Sequence, residues 1–305
     1  MFQYDTIVIG AGFSGAVFAR EMADAGKRVL LIERRSHIGG NMFEEDSPAG
    51  VRIHKYGPHI FHTNNPRVFE YLQRFGKWFP YEHRVLGRID GKLVPIPFNF
   101  KSVDVLFPEE KAVQLKRLLL ENFGKDKRVS IYDLANHSNA EIREFGAYVL
   151  DRVFLHYTAK QWGVPIEQVD KSTINRVPVV TGYDDRYFQD EIQWMPEEGF
   201  TKIFERMLGH ENITLRLGTD ARTLLRLDHG TKKVFFEGVE FSGTVFFSGA
   251  IDEFLDCRHG RLPYRSVDLV FEDLDMPQFQ AAAVVNYPNE EKFTRISEFK
   301  YFHQK

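Results

Sequence analysis

Gly10-Ala11-Gly12-Phe13-Ser14-Gly15 lies near the start of this 305-residue chain and decides how its first domain folds. The stretch follows the apolar run Thr6–Ile9, and an apolar helical pattern continues after it as far as Gly26. A second apolar run, Arg28–Ile32, then ends at Glu33. A strand, a glycine-rich turn, a helix and a second strand that ends at an acidic residue form the fingerprint of a dinucleotide-binding domain. The sequence therefore predicts an α/β domain of the Rossmann type.

The glycines of this turn have separate physical roles. Gly10 permits the tight turn, Gly12 lets the backbone approach a pyrophosphate, and Gly15 lets the helix pack closely against the strand. The helix N-terminus offers unpaired N–H groups to an anion, and Glu33 is placed to accept a hydrogen bond from a ribose hydroxyl. A glycine turn without a ligand is the alternative, but the spacing, the strands and the acidic residue together favour a cofactor. The predicted cofactor residues of this segment are Gly10, Gly12, Phe13, Ser14, Gly15 and Glu33.

The composition excludes several classes of function. The net charge of −3 gives no bulk attraction for nucleic acid or for an anionic membrane. The single cysteine, Cys257, excludes an internal disulfide. No apolar stretch is long enough to span a membrane, and the first predicted strand begins too close to Met1 for a signal peptide to precede it. These features predict a cytoplasmic protein without nucleic-acid partners and without membrane insertion.

A second pair of glycines follows the second predicted strand. Gly39 and Gly40 allow another close approach of the backbone to a ligand, although a simple turn is the alternative. Their position shortly after Glu33 favours contact with the cofactor, and we include Arg34 and Asn41 in the predicted cofactor site.

The segment His54–His62 contains three histidines, which raises the question of a metal site. No cysteine lies nearby, and His59 and His62 would face opposite sides of an extended chain, so a metal site is disfavoured. We therefore predict no metal ligands in this chain. Instead, we expect the kink at Gly57-Pro58 to aim His59 at a ligand.

The pattern further along the chain predicts a helical insertion in an α/β protein. A hairpin is expected around Asp90-Gly91, because this dipeptide lies between two apolar runs. A long helix is expected from Ser138 to about Tyr157, and later strands follow it. The later predicted strands include Ala221–Leu227, Thr244–Phe247, Leu269–Glu272 and Ala283–Tyr287. Gly249, just after one of these strands, is placed as a residue beneath a cofactor would be.

Several aromatic and basic residues could contact a ligand. Tyr157 and Trp162 lie at a predicted helix end, where they could stack on a nucleobase or equally well pack into the core. Arg295 lies between apolar residues in a strand, so it either pairs with Glu298 or binds a phosphate. No arrangement of Ser, His and Asp or of Cys and His stands out as a nucleophile, which favours chemistry supplied by a cofactor.

Taken together, these segments resemble the UDP-galactopyranose mutase family. The strings HKYGPHIFHT (residues 54–63) and YTAKQW (residues 157–162) are the most specific parts of the match. The resemblance extends over the whole chain, from the glycine turn to Thr294-Arg295-Ile296.

The resemblance implies a flavoenzyme that interconverts UDP-galactopyranose and UDP-galactofuranose for cell-wall biosynthesis. In that family, N5 of reduced FAD attacks the anomeric carbon and displaces UDP. The adduct then opens through an iminium, the sugar recloses through a different hydroxyl, and UDP returns without net redox change. The implied division is an FAD-binding domain in two parts (1–78 and 201–255), a mainly helical substrate domain (79–160), and a sheet domain in two parts (161–200, with a lid loop, and 256–305).

The family's functional residues map onto named positions of this chain. Tyr157 and Phe154 resemble the wall that stacks on uracil, and Trp162 resembles the tryptophan of a mobile lid. Arg176 and Arg295 resemble the two arginines that clamp the diphosphate, and His59 resembles the histidine near the flavin and the sugar. The implied catalytic residues are His59, Arg176 and Arg295, and the implied substrate residues are Asn99, Phe154, Tyr157, Trp162, Arg176, Tyr187, Asn286 and Arg295.

The chain departs from the family pattern in two places. Family members continue for several tens of residues beyond the segment that resembles residues 294–298, so we expect the final FAD-domain segment to be missing after Lys305. Val153 also stands where an aromatic residue is common. An amine-oxidase-like flavoenzyme and an inactive nucleotide-binding remnant stay open as alternatives, as does the exact sugar. A homodimer is a family expectation.

Overall fold

The structure is a computed structural model that describes residues 3–168, 177–228 and 230–303. The chain divides into two compact units. Unit 1 comprises Met1–Pro80, Trp194–Phe271 and His303–Lys305, and unit 2 comprises Tyr81–Gln193 and Glu272–Phe302. Within the described residues, the helices are all too short or too polar to cross a membrane. The domain boundaries given above stay a prediction.

The strands of the described residues are short, from two to five residues each. In chain order they are β1 (Thr6–Ile9), β2 (Val29–Ile32), β3 (Glu44–Asp46), β4 (Arg52–His54), β5 (Phe61–Thr63), β6 (Trp78–Pro80), β7 (Val85–Ile89), β8 (Lys92–Ile96), β9 (Arg128–Val129), β10 (Val179–Val180), β11 (Ile192–Pro196), β12 (Ile213–Arg216), β13 (Leu225–Asp228), β14 (Lys233–Phe236), β15 (Val239–Phe241), β16 (Thr244–Phe247), β17 (Val284–Asn286) and β18 (Arg295–Ser297).

The α-helices of the described residues lie in both units. In chain order they are α1 (Phe13–Asp24), α2 (Pro66–Gln73), α3 (Phe100–Leu106), α4 (Glu109–Phe123), α5 (Ile131–Ala135), α6 (Ala140–Val149), α7 (His156–Trp162), α8 (Phe200–Leu208) and α9 (Ile251–Phe254).

A parallel sheet in the order β12-β2-β1-β16 forms the centre of unit 1. Strands β1 and β2 are fully buried, as expected for continuous apolar runs covered on both faces. Helix α1 packs on one face of the sheet. On the other face, Ile7 and Ile9 pack against Phe236 and Phe241 of the antiparallel sheet β13-β14-β15. The predicted Rossmann-type α/β fold is confirmed.

Unit 2 combines a four-stranded sheet with helices α3 to α7. The sheet order is β18-β17-β7-β8, in which β17 runs parallel to β7 and the other pairs are antiparallel. The predicted hairpin at Asp90-Gly91 joins β7 and β8, and both turn residues have positive φ, as this kind of tight turn requires. Helices α4 and α6 bury Leu115, Leu119 and Phe145.

Three predicted elements differ from the structure. The helix expected from Ser138 to Tyr157 is interrupted by a π-helical turn, Leu150–Leu155, between α6 and α7. The strand expected over Ala221–Leu227 begins as a 3₁₀ turn, because the Asp220 side chain accepts from the Arg222 amide and pulls the chain into a turn. No strand forms over Leu269–Glu272, where the exposed chain pairs with no described strand.

Candidate functional site

The glycine turn, Gly10–Gly15, joins β1 to α1 in unit 1, and two of its glycines cannot carry a side chain. Gly10 has φ +99°, and a Cβ there would lie 2.3 Å from the Ser248 hydroxyl oxygen. A Cβ on Gly15 would lie 1.8 Å from the carbonyl oxygen of Gly10. Both distances are far below van der Waals contact, so the turn requires glycine at these two positions.

The N-terminus of α1 is open to a ligand. Its N-cap residue is Gly12, so no side chain caps the first amides of the helix. The ring of Phe13 packs against Phe204, with centroids 4.5 Å apart, and is partly exposed. Ser14 is exposed. Uncapped amides at the positive end of a helix dipole favour a bound anion.

A second backbone segment, the second glycine loop (Gly39–Asn41), lies against the glycine turn. The Gly39 amide donates to the Ala11 carbonyl at 2.8 Å. A Cβ on Gly40 would lie 2.9 Å from Gly12 Cα, so these two loops touch through their backbones. A Cβ on Gly12 would meet only Gly40 Cα within 4 Å, at 3.9 Å. The space beside Gly12 is therefore open, and it fits the close approach of a pyrophosphate.

Glu33 is fixed at the end of β2 by two backbone amides. The Ala11 amide donates to Oε2 and the Arg35 amide donates to Oε1, both at 2.8 Å. Each carboxylate oxygen has two acceptor sites, so Glu33 keeps the capacity to accept from a ribose hydroxyl. In the structure, these two hydrogen bonds link the glycine turn to the residues that follow β2.

The other predicted cofactor residues differ in how firmly they are held. Asn41 accepts a hydrogen bond from Arg35 at 3.0 Å, which fixes the end of the second glycine loop. Arg34 is exposed and lies 3.8 Å from the carboxylate of Glu253. Gly249 is exposed just beyond β16.

Hydrogen bonds within the histidine loop, His54–His59, determine which ring nitrogen of His54 and of His59 carries the proton. The Nδ1 of His59 lies 2.8 Å from the Gly57 carbonyl, which can only accept, so Nδ1 carries the proton. In neutral His59 the acceptor nitrogen is then Nε2. The His59 amide donates to His54 Nδ1 at 3.0 Å, so neutral His54 carries its proton on Nε2.

His54 also belongs to a buried cluster with Glu44 and His303, whose ligand atoms lie within 4.8 Å of one another. Burial raises the pKa of Glu44 to about 7 and lowers the pKa of His54 to about 3. A metal ion would need a lone pair on His54 Nε2, the atom that lies 3.2 Å from Glu44 Oε1. That nitrogen is the protonated one, so the geometry favours a proton facing Glu44 over a metal ligand.

In unit 2, the structure brings two predicted substrate residues together. Asn286 at the end of β17 pairs with Arg295 at the start of β18. Directly opposed residues of antiparallel strands place their side chains on the same face, with their Cβ atoms about 4.5–5.5 Å apart. Arg295 is exposed, and none of the carboxylates described forms an ion pair with it.

The alternative partner of Arg295 is occupied elsewhere. Glu298 accepts from the backbone amides of Phe279 and Gln280, at 3.2 and 3.0 Å. The internal ion pair between Arg295 and Glu298 that the sequence left open is therefore not formed.

The aromatic residues of the predicted uracil wall lie on and before α7. Phe154 is buried in the π-helical turn, Tyr157 is half-buried in the first turn of α7, and Trp162 is exposed at its end. Of the two helix-end aromatics, Tyr157 is partly packed and Trp162 is accessible, so stacking on a base stays a prediction for both. The helix ends at Gly163, which has φ 62°.

Two further predicted residues have structural contacts in unit 2. Asn99 is fully buried; its Oδ1 accepts from the amides of Lys101 and Ser102 to cap α3, and its Nδ2 donates to the Asp184 carbonyl. The Tyr187 amide donates to the His83 carbonyl at 2.7 Å. Their contacts with substrate stay predictions. Arg176 lies outside the described residues, and so do residues 169–175 of the predicted lid loop, which is expected over about 163–175.

Comparisons with known proteins identify the family of this chain. A family model described as UDP-galactopyranose mutase matches residues 152–305. A probable UDP-galactopyranose mutase of Klebsiella pneumoniae is 35% identical over 299 residues, which are 97% of this chain and 73% of that protein.

The chain belongs to the UDP-galactopyranose mutase family, a family of isomerases.

Further similarities concern a second mutase, a solved structure and a domain model. A dTDP-fucopyranose mutase of Escherichia coli is 33% identical over 97% of this chain and 76% of that protein. A crystal structure of reduced UDP-galactopyranose mutase shares the fold, with a TM-score of 0.62 at 17% identity over 99% of this chain and 72% of that one. A model of an NAD(P)-binding Rossmann-like domain matches residues 8–75, which agrees with the Rossmann-type fold of unit 1.

Sequence reasoning missed two residues of this mutase-family chain that shape its sites. Ser248 donates to the Ile9 carbonyl at 2.7 Å and occupies the space beside Gly10. Its position at the end of a strand next to β1 was a usable signal, because ligands bind at the carboxyl ends of parallel strands. Lys160 lies inside the YTAKQW string, but its partners are more than 120 residues away, and no local pattern indicates them.

Proposed function

We propose that this chain interconverts UDP-galactopyranose and UDP-galactofuranose, with FAD in its reduced form as the cofactor. The main support for the proposed substrate is the pair Asn286 and Arg295. The Arg295 guanidinium is exposed and forms no ion pair with a carboxylate among the described residues. A guanidinium beside an amide suits the oxygens of a diphosphate. Membership of the mutase family supports a sugar nucleotide as the substrate class.

The residues of unit 1 fit a dinucleotide cofactor. The open space beside Gly12, the uncapped N-terminus of α1 and the Glu33 carboxylate suit a pyrophosphate and a ribose. When bound, reduced FAD would supply a nucleophilic N5 for the anomeric carbon of the sugar. The chain itself would bind the pyrophosphate through backbone amides, with Ser14, Arg34, Asn41 and Gly249 at the edge of the site.

His59 would provide a proton acceptor of fixed orientation. Its Nδ1 donates to Gly57, so Nε2 is the acceptor in the neutral ring. The bond from its amide to His54 fixes its backbone as well. We propose that Nε2 accepts a hydrogen bond from the cofactor or from a sugar hydroxyl, and that this contact orients the reacting groups.

Arg295 would act on the leaving group. Negative charge builds on the diphosphate of UDP as its bond to the sugar breaks, and a positioned guanidinium stabilises that charge more than it stabilises the ground state. Arg176 would be the second arginine, by resemblance. Tyr157 and Trp162 would stack on the base, with Phe154 behind them, and Asn99 and Tyr187 would complete the substrate side.

A second substrate is favoured by one specific observation. The relative named dTDP-fucopyranose mutase is as similar to this chain as two relatives named UDP-galactopyranose mutase, all three at 33% identity. A thymidine nucleotide sugar is therefore the second candidate, with the same chemistry at the anomeric carbon. A cytoplasmic location, a role in cell-wall synthesis and a homodimer complete the proposal.

The test is a mutase assay with matched arginine variants of the reduced, flavin-loaded protein. Arg295→Ala removes the proposed diphosphate contact. Arg88→Ala is the control, because Arg88 is an exposed arginine on the same sheet, one residue after Gly87, which is in register with Asn286. Successive residues of a strand point to opposite faces, so Arg88 lies on the other face. UDP-galactofuranose and dTDP-fucofuranose are supplied in separate reactions.

We expect Arg295→Ala to lower kcat with its preferred substrate by about 100-fold, as removal of one charge-stabilising group commonly does, without loss of bound flavin. Arg88→Ala should stay within about twofold, since surface changes away from a site have small effects. Full activity of Arg295→Ala would contradict its role. A flavin-loaded wild type that turns over neither substrate would contradict the function, and would favour the amine-oxidase-like or inactive alternatives.

A further inference from the structure

Lys160 lies on α7 and bonds to three backbone carbonyls at once. Its Nζ donates to Tyr287 at 2.6 Å, to Glu291 at 2.8 Å and to Phe293 at 3.3 Å. A lysine ammonium has three N–H donors and no acceptor, so these three carbonyls use its full capacity. Burial lowers the pKa of Lys160, and the nearby carboxylate of Glu291 acts in the opposite direction.

All three carbonyls belong to the loop between β17 and β18, which we name the hairpin loop (residues 287–294). The Tyr287 amide donates to the Thr294 carbonyl at 2.9 Å and closes this loop. The rings of Tyr287 and Phe293 meet edge to face, with centroids 4.9 Å apart. Asn286 immediately precedes the loop and Arg295 immediately follows it, so whatever fixes the loop also fixes that pair.

Lys160 also shares a helix with the predicted base-stacking residues. Tyr157 precedes it by three residues, a spacing that places two side chains on neighbouring positions of a helix surface. One ammonium thus joins the helix that carries Tyr157 to the hairpin that carries Arg295. The two segments are 127 to 133 residues apart in sequence, and the three bonds of Lys160 link them directly.

We propose, on the basis of the function proposed above, that Lys160 is a positioning residue for a nucleoside diphosphate. It sets the distance between the base-stacking helix and the Asn286–Arg295 pair, so that base and diphosphate are bound by a single rigid surface of unit 2. Lys160 itself does not contact the reacting atoms. Holding two binding elements in place before the ligand arrives lowers the entropic cost of binding.

The test is a double-mutant cycle in which UDP affinity is measured. It distinguishes a positioning role of Lys160 from a general effect on folding. Lys160→Met keeps an unbranched side chain and removes all three donors, and Lys160→Gln is a milder variant that keeps two donors on one nitrogen. Each is made alone and with Arg295→Ala in the full chain, and UDP affinity is measured by calorimetry. Lys111→Met is the control, because Lys111 is another bonded lysine of unit 2, paired with Glu141 at 2.9 Å.

We expect Lys160→Met to weaken UDP binding about tenfold and Lys160→Gln about threefold, within the range reported for coupled neighbouring residues. In the Arg295→Ala background, Lys160→Met should change UDP affinity less than about twofold, because the contact that Lys160 positions is already gone. In the mutase assay, Lys160→Met should raise KM and also lower kcat, but by clearly less than the roughly 100-fold expected for Arg295→Ala, because Arg295 is still present and is only less well positioned. Lys111→Met should not change UDP affinity.

An equal loss of affinity in both backgrounds would show a general structural effect and would overturn the proposal, and so would unchanged affinity in Lys160→Met. If that variant does not fold, Lys160→Gln decides by the same comparison. A wild type that does not bind UDP overturns both this proposal and the proposed function. A wild type that binds UDP with the expected coupling, yet turns over no substrate, overturns the function alone.

Discussion

The proposed cofactor site of unit 1 and the proposed substrate site of unit 2 are formed by different kinds of contact. In unit 1 the decisive contacts are between backbone atoms: the Gly39 amide bonds to Ala11, and Gly40 lies against Gly12. In unit 2 the decisive contacts are made by side chains, of which Lys160 and its three carbonyl partners are the clearest case.

This difference explains why the site in unit 1 could be predicted from local sequence patterns and the contacts in unit 2 could not. A backbone cradle needs glycine at fixed positions, because any Cβ would enter the space of the neighbouring loop or of the ligand. A site made by side chains can use many residue types, and its partners can be far apart along the chain. Asn286 and Arg295 meet only because β17 and β18 pair in that register.

The largest effect should come from closing the backbone contact inside the glycine turn. In Gly15→Ala the new Cβ would lie 1.8 Å from the Gly10 carbonyl oxygen, a backbone atom that cannot move aside without shifting β1. We expect the free energy of unfolding to fall by at least about 3 kcal/mol, the upper range for overpacking. Denaturant titration of the purified variant measures it.

Gly26→Ala is the matched control, because a Cβ there would meet nothing within 4 Å. Gly26 has φ +76°, so alanine should cost about 1 kcal/mol from backbone strain alone. If Gly15→Ala proved no more destabilising than Gly26→Ala, this result would contradict the close contact between Gly15 and the Gly10 carbonyl.

A buried side-chain pair in unit 1 should make stability depend on pH. Burial raises the pKa of Glu44 to about 7, above its ordinary value, so its folded form favours the neutral carboxyl. The stabilisation is therefore present at low pH and is lost as pH rises through about 7. Glu44→Gln stays neutral throughout, so it should match the wild type at low pH and exceed it at high pH.

We expect the difference in unfolding free energy between Glu44→Gln and the wild type to grow by up to about 3 kcal/mol from pH 5 to pH 8. The comparison cancels most of the contribution of His54, whose pKa burial lowers to about 3. Urea titrations at the two pH values measure the difference. A constant difference, or one that shrinks as pH rises, would contradict the raised pKa.

A smaller effect should come from a side chain that organises unit 2. Asn99→Ala removes the cap of α3 and the bond to the Asp184 carbonyl, so we expect a loss of about 2 kcal/mol of stability. Asn139→Ala is the control: Asn139 also caps a helix, α6, by accepting from two amides.

Since Asn139 caps α6 without the additional bond and is more exposed, its loss should be about 1 kcal/mol, typical of a cap. Thermal or denaturant unfolding of both variants gives the comparison. Equal losses would mean that Asn99 contributes only as a cap.

The elements that could be predicted from sequence are those with a local signature. The β1-α1-β2 unit has its glycines and acidic residue, and the β7-β8 hairpin has Asp90-Gly91 at its turn. The break at Leu150–Leu155 could not be predicted, because its residues continue the helical apolar pattern and only the hydrogen bonding changes.

The strand expected over Leu269–Glu272 failed for a different reason. Its apolar residues suit a strand, but a strand also needs a partner, and no described strand pairs with this segment. The candidate site shows the same limit. Glu33 and Gly39–Asn41 could be assigned to a candidate site from their spacing after the glycine turn. The hydrogen bonds of Lys160 could not be predicted, because they form only where segments distant in sequence come into contact.

The most direct test of the central claim is FAD affinity after Gly12→Ala. Gly12 has an ordinary φ of −77°, and a Cβ there would meet only Gly40 Cα, at 3.9 Å, so the fold should accept alanine. We predict that the free energy of unfolding of Gly12→Ala stays within about 0.5 kcal/mol of the wild type, as for a tolerated substitution, and that FAD binding weakens at least about tenfold. Unchanged FAD affinity in a folded Gly12→Ala protein would contradict a pyrophosphate site at this turn.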